Sequence, residues 1–163
     1  MPTGQDGIGF ALQASLTGEI GGRENLLVAG IAYDDADIDF SSSTGLGALD
    51  ASRLAIPGGV LLGESFTDLG AETSTLGLFV SNTFVLSDAV ALTVSGRYND
   101  TDVVLRDRLG TALNGDHSFS RFNPAVGVTA ELSEELSFYA GYSESNRAPS
   151  PVELTCADED DPC

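Results

Sequence analysis

The sequence predicts an all-β fold, a segment of an antiparallel, up-and-down transmembrane β-barrel. Apolar residues alternate with small or polar ones in six stretches, most of them ten residues or more, the length that a tilted strand needs to cross a bilayer. Short turns near Gly22, Ser87 and Glu134 join the stretches into three hairpins, and longer connections link the hairpins. A soluble sandwich shows the same alternation, but its loops are more often comparable at both ends. Strand length and loop asymmetry therefore favour the membrane barrel.

The first predicted hairpin joins strands at about 8–17 and 25–40 through a tight turn at Gly21 and Gly22. Its second strand has one apolar face as far as Tyr33 and becomes acidic beyond it. The lipid-facing part is therefore expected to stop near Tyr33. A tyrosine at this boundary fits the aromatic girdle of a membrane interface.

The second predicted hairpin joins strands at about 72–85 and 90–104. Asn82 interrupts the apolar face of the first of these strands. In the second strand, the alternation places Arg97 among Thr, Ser and Asn residues, on the side expected to face a barrel lumen.

The third predicted hairpin joins strands at about 123–132 and 136–143 and runs into a proline-rich exit. Each proline fixes its own φ and biases the preceding residue to an extended geometry, so the chain is expected to leave the sheet in a defined direction. An ion pair between Arg147 and Glu153 would pin this exit. We favour a rigid strand-to-loop corner over direct ligand contact for this motif. Its residues are Arg147, Pro149, Pro151 and Glu153.

Two stretches in the last third carry the most specific sequence. They read Ser120-Arg-Phe-Asn-Pro-Ala-Val-Gly-Val-Thr129 and Leu136-Ser-Phe-Tyr-Ala-Gly-Tyr-Ser-Glu-Ser-Asn-Arg-Ala-Pro-Ser-Pro-Val-Glu-Leu-Thr-Cys-Ala-Asp158. A strand that ends in an aromatic-rich Tyr-Ser run followed by Arg-Ala-Pro-x-Pro-x-Glu-Leu resembles a recurring segment in the barrel of TonB-dependent outer-membrane receptors. The resemblance covers about 45 residues. The rest of the chain agrees with the family only in its succession of hairpins with short turns and longer connections.

The resemblance implies that residues 1–163 are part of a receptor barrel that closes at 22 strands, so that about six strands form an incomplete sheet by themselves. It implies a location in the outer membrane of a Gram-negative cell, surrounded by lipid. The predicted long loops, at about 41–71, 105–117 and 147–163, would then be extracellular.

The implied activity is active import of a scarce small-molecule nutrient such as a ferric siderophore. In the family, energy comes from the TonB complex, which contacts an N-terminal plug domain. Neither the plug nor the TonB-contacting segment is found in the sequence. Met1-Pro-Thr-Gly-Gln-Asp6 also lacks the basic start and apolar core of a signal peptide, so we expect the chain to be a piece of a longer precursor.

Two alternatives remain open. A soluble or secreted β-sandwich binding module with a disulfide-closed loop would show the same strand periodicity. A passive porin would keep the barrel and drop the energy coupling, although the Arg-Ala-Pro-Ser-Pro corner argues against it by resemblance. A signal peptide and plug encoded upstream would favour the receptor, and a genuine start at Met1 would favour the module.

Composition and motifs argue against two further classes. The formal net charge of −18 would repel nucleic acid phosphates, and all seven basic residues are Arg. His117 is the only histidine, and its proximity to Asp116 and Ser118 is better explained by chance in a Ser/Asp-rich sequence than by a catalytic triad. We expect neither an enzyme nor a bound cofactor.

Cys156 and Cys163 lie in an acidic, loop-like segment. In an oxidising compartment we expect them to form a disulfide, because two cysteines without histidine partners make a poor zinc site. The run Asp158-Glu-Asp-Asp161 could bind a divalent cation, but it lacks the ligand spacing and the glycine of a calcium loop. We therefore favour a solvated acidic tip with no metal.

Overall fold

The computed structural model describes residues 3–62 and 66–155. Their main feature is an antiparallel sheet of six strands in the order β1-β2-β5-β6-β7-β8, and β3 and β4 form a separate small hairpin. This arrangement confirms the predicted all-β, up-and-down fold. The elements are β1 (Thr3–Ile20), β2 (Arg23–Ser42), β3 (Gly45–Leu49), β4 (Ala55–Leu61), β5 (Thr67–Ser87), β6 (Val90–Asp107), β7 (Gly115–Ser133), β8 (Leu136–Ser143) and α1 (Pro151–Thr155).

The sheet is open. Its two outer strands, β1 and β8, each pair with one neighbour among the described residues. The sandwich alternative does not describe this fold, because the described residues contain no second sheet that covers the first. No helix in the described part of the chain has the length and apolarity needed to cross a membrane.

The two faces of the sheet differ in chemistry. In β5, for example, Leu76, Leu78 and Val80 point to one face, and Ser81 and Thr83 point to the other. We call the first the apolar face and the second the polar face. Other large side chains of the apolar face, all exposed, are Ile8, Phe10, Leu12, Leu16, Val94, Tyr98, Phe122, Val126, Val128, Phe138 and Tyr142.

Asn82 interrupts the apolar face, as the sequence indicated, but it has a partner there. The Nδ2 of Asn25 donates to Oδ1 of Asn82 at 2.5 Å, and Nδ2 of Asn82 donates back to Oδ1 of Asn25 at 3.3 Å. The amides satisfy each other, so the polar group is tolerated among apolar neighbours. At the other end of this face, the rings of Phe10 and Tyr33 lie directly opposite each other with centroids 5.7 Å apart.

Most strands extend beyond the bounds predicted from their apolar residues. The strand predicted at 72–85, for example, is Thr67–Ser87 in the structure. The backbone ladder continues where the apolar alternation ends, because polar strand residues pair with a neighbour as well as apolar ones do. Periodicity therefore marks the apolar band of each strand rather than its whole length.

Two of the predicted long loops contain strand residues in the structure. Hairpin β3–β4 lies within the loop predicted at 41–71, where Gly, Ser and Pro57 obscured its alternation. Its tip is ordered by the carboxylate of Asp50, which accepts hydrogen bonds from the backbone N–H groups of Ser52 at 2.8 Å and Leu54 at 2.9 Å. The loop predicted at 105–117 shortens to 108–114 between β6 and β7, so His117 lies in a strand.

Candidate functional site

A small apolar cluster lies on the polar face, at the end of the sheet where the long connections emerge. It is built from Leu69 and Ala71 of β5 and from Val103 and Leu105 of β6, and Val103 is fully buried. The partly buried residues that pack against it are Ile38, Phe40, Leu113, Phe119 and Leu154. Because Leu154 belongs to α1, the chain after β8 covers this cluster.

Residues 144–155, which we call the exit segment, are attached to β7 by one backbone hydrogen bond and one side-chain hydrogen bond. The backbone N–H of Glu144 donates to the carbonyl of Pro124 at 3.0 Å. The Nδ2 of Asn123 donates to Oδ1 of Asn146 at 2.7 Å. The exit segment therefore runs along the polar face instead of projecting away from the sheet.

Helix α1 has a capping box at its start. The Oγ of Ser150 accepts a hydrogen bond from the backbone N–H of Glu153 at 3.3 Å, and a carboxylate oxygen of Glu153 accepts one from the N–H of Ser150 at 2.7 Å. Pro151 occupies the first helical position, where its missing N–H costs nothing. The sequence Ser-Pro-Val-Glu thus specifies where this short helix begins.

Arg147 and Glu153 form a bidentate ion pair. Nη1 of Arg147 lies 2.6 Å from Oε2 of Glu153, and Nη2 lies 2.5 Å from Oε1. These hydrogen bonds, together with those from Ser150, hold the pKa of the Glu153 carboxyl well below its usual range. The same pair raises the pKa of Arg147.

The structure thus brings Arg147 and Glu153 together, as expected from the sequence. Pro151 is buried and Pro149 is half-buried. That these residues serve as a rigid corner, without ligand contact, stays a prediction. The predicted disulfide between Cys156 and Cys163 lies outside the described residues, as does the acidic run 158–161.

Two depressions lie on the polar face beside the exit segment. One, of about 590 Å³, is lined by Phe79, Arg97, Asn123 and Asn146 among others. The second, of about 390 Å³, lies nearer the apolar cluster and is lined by residues of β1, β2, β5, β6 and β7 and by 146–151. Sequence reasoning placed Arg97 on this face but missed the two asparagines, which only the approach of the exit segment brings together.

His117 does not meet the partners that a triad would need. It stands on the polar face, where its ring stacks on Phe119 with centroids 6.3 Å apart. Asp116 and Ser118 point to the opposite face because they are its neighbours in a strand, and Asp116 accepts a hydrogen bond from Nη1 of Arg106 at 2.9 Å. Among the described residues, no group of three or more His, Cys, Asp or Glu side chains is placed to hold a metal ion.

A long-stranded antiparallel sheet with one exposed apolar face and one polar face defines a segment of a transmembrane β-barrel. The family model described as "TonB dependent receptor-like, beta-barrel" matches residues 3–160. The chain belongs to the TonB-dependent receptor family. Members of this family are outer-membrane transporters rather than enzymes.

Solved structures of such receptors share the fold. The ferric-catecholate import receptor Fiu from E. coli K12, in its open form, superposes with a TM-score of 0.68 at 15% identity, covering 91% of this chain and 26% of that one. The alcaligin outer-membrane receptor FauA from Bordetella pertussis gives a TM-score of 0.57 at 20% identity, covering 86% and 21%. FpvAI, in complex with pyocin S2, gives 0.62 at 24% identity, covering 86% and 19%.

The chain therefore spans about a quarter or less of the length of these receptors. None of the curated proteins compared with the chain matches it.

Proposed function

We propose that this chain forms part of the wall of an outer-membrane receptor that imports a scarce small-molecule nutrient, of the ferric siderophore class, with energy supplied through TonB. The observation that carries the proposal is the family match over residues 3–160, which covers the whole six-stranded sheet. In this proposal the remaining strands close the barrel, and a plug domain outside residues 1–163 contacts the TonB complex.

The two faces of the sheet support this role. The exposed Leu, Ile, Val and aromatic side chains of the apolar face match a lipid environment, since in water they would form a large uncovered apolar patch. The polar face carries Ser, Thr, Asn and Gly over most of its length, which suits a wet interior. We place the long connections, including hairpin β3–β4 and the exit segment, at the extracellular end.

The siderophore class is supported by two similar receptors, one named for ferric catecholates and one for alcaligin. At 15% and 20% identity these relatives share the fold with this chain. The choice of nutrient is thus a proposal to be tested by uptake.

The test is uptake of ⁵⁵Fe-labelled ferric catecholate and ferric alcaligin by a Gram-negative host that lacks its own receptors for them and expresses the full-length receptor containing this chain. We expect accumulation of one of the labelled complexes in cells with TonB and none in isogenic cells without TonB. Equal accumulation in both strains would indicate a passive pore and contradict the proposal that TonB supplies the energy for import. Recovery of the protein in the soluble fraction would contradict the proposed location in the outer membrane.

A further inference from the structure

Arg97 differs from most arginines of the chain, because no carboxylate lies within ion-pair distance of it in the part of the chain that the structure describes. Among the others, only Arg53, on the tip of hairpin β3–β4, shares this property within the same residues. In a chain with a formal net charge of −18, an unneutralised arginine is unusual. The arginines with an acidic partner are Arg23, Arg106, Arg108, Arg121 and Arg147.

The side chain of Arg97 is seated on the polar face. Its guanidinium lies over Gly77, where a Cβ atom would stand only 2.8 Å from Nη2. Its Nε donates to Oδ1 of Asn99 at 2.7 Å. The two Nη groups have no acceptor among the described residues, so the end of the guanidinium presents two parallel N–H donors, a fork that is available to a ligand. This fork has the spacing of the two oxygens of a carboxylate.

The surroundings of this fork are suited to a ligand with an apolar body. Phe79 and Asn123 stand directly opposite Arg97 on the two flanking strands, and all three line the depression of about 590 Å³. Asn146 from the exit segment closes one side of it. Glu144, the one carboxylate that the described residues contribute to the lining, is already engaged by Arg121 at 3.4 Å and by the hydroxyl of Tyr142 at 2.8 Å.

We propose that Arg97 and this depression form a binding site for a carboxylate, which accepts hydrogen bonds from both Nη groups of Arg97. The carboxylate can come from a free ligand inside the barrel, whose flat apolar or aromatic body then lies against the ring of Phe79. It can also come from an Asp or Glu side chain of a domain that fills the barrel. The inference rests on the proposed function in one respect, that the polar face lines the barrel interior.

The test uses the full-length receptor purified in detergent, with benzoate as the probe and neutral benzamide as its control. Binding is measured by calorimetric titration, and stability by the thermal unfolding midpoint. The variant is Arg97→Gln, and Arg53→Gln is the matched control because it removes the other arginine that has no acidic partner among the described residues. Neither measurement involves TonB or import, so a failure of the transport proposal leaves the result interpretable.

The two sources of the carboxylate give different results. If it is a free ligand, benzoate binds the wild type, Arg97→Gln weakens that affinity by about tenfold to a hundredfold, and the midpoint is unchanged. If a protein side chain supplies it, benzoate does not bind the wild type, and Arg97→Gln lowers the midpoint because a carboxylate is left unpaired.

A second variant, Gly77→Ala, adds a methyl group that displaces the Arg97 guanidinium from its position over residue 77 and keeps its charge. We expect it to change the same readout in the same direction as Arg97→Gln, and it keeps the test decisive if Arg97→Gln folds poorly. The proposal is overturned if Arg97→Gln and Gly77→Ala match Arg53→Gln in both readouts, or if benzamide binds as tightly as benzoate.

Discussion

Both terminal nitrogens of Arg147 contact the carboxylate of Glu153, at 2.6 and 2.5 Å, across a segment that holds two prolines. This pair joins the two ends of residues 147–153. The next residue, Leu154, packs against the apolar cluster of the polar face. Both side chains remain largely solvent-exposed. Because exposed ion pairs contribute little to global stability, we expect the pair to act mainly by orienting the exit segment.

The ion pair predicts a specific pH response of the exit segment. The pKa of Glu153 is lowered in the folded protein, so its contribution to stability is complete above the ordinary glutamate value of 4.5 and is lost only as pH falls through the lower folded value. A ¹³C carboxyl titration of Glu153 in the full-length receptor should give a midpoint below 4.5, and Arg147→Gln should move it back towards that value. A wild-type midpoint at the ordinary value would contradict the pairing.

The capping box predicts that Ser150→Ala loosens helix α1. Loss of an N-cap serine costs about 0.5–2 kcal/mol of helix stability. Amide hydrogen exchange at Leu154, whose N–H donates to the carbonyl of Ser150 at 3.0 Å, should therefore become faster. The matched control is Ser145→Ala, since Ser145 is exposed and outside the helix. Equal exchange in the two variants would argue that packing of Leu154, and not the cap, holds the helix.

Close packing on β2 predicts that Gly30→Ala is destabilising. A Cβ at Gly30 would stand 2.5 Å from the ring of Phe79 and 2.7 Å from the carbonyl oxygen of Leu12, so the ring has to move and the strands have to separate. Overpacking of this kind costs about 1–3 kcal/mol. Gly18→Ala is the control, because no atom of the described residues, apart from Gly18 and its chain neighbours, lies within 4 Å of the added methyl group. Urea unfolding of the receptor in detergent compares the two, and equal midpoints would mean that the ring moves aside freely.

The assignment of the two faces predicts opposite outcomes for adjacent residues of β5. Val80→Arg places a charge on the apolar face and should cost about 2–4 kcal/mol if that position lies near the bilayer midplane. Ser81→Arg places the same charge on the polar face and should be tolerated. The measurement is the yield of folded receptor inserted into lipid vesicles. Equal yields for both variants would show that the apolar face is not in contact with lipid.

The sequence by itself determined the strand order, the chemistry of the two faces and the asymmetry of the connections. Strand periodicity is a local property, so the side of Arg97 and the interruption at Asn82 could both be read without a structure. It could not reveal that Asn25 satisfies Asn82, because the two residues lie on different strands and meet only through their register. Hairpin β3–β4 was missed because its glycines and Pro57 weaken the alternation that defines a strand.

Only the tertiary structure decided where the exit segment goes. From sequence, the prolines predicted a corner that leaves the sheet, and an ion pair between Arg147 and Glu153 was the contact expected to pin it. The direction of that corner depends on Leu154 finding the cluster around Val103 and on Asn146 meeting Asn123, contacts between residues far apart in the chain. Such contacts arise from long-range packing, which local periodicity does not encode, and they form the depression in which Arg97 stands.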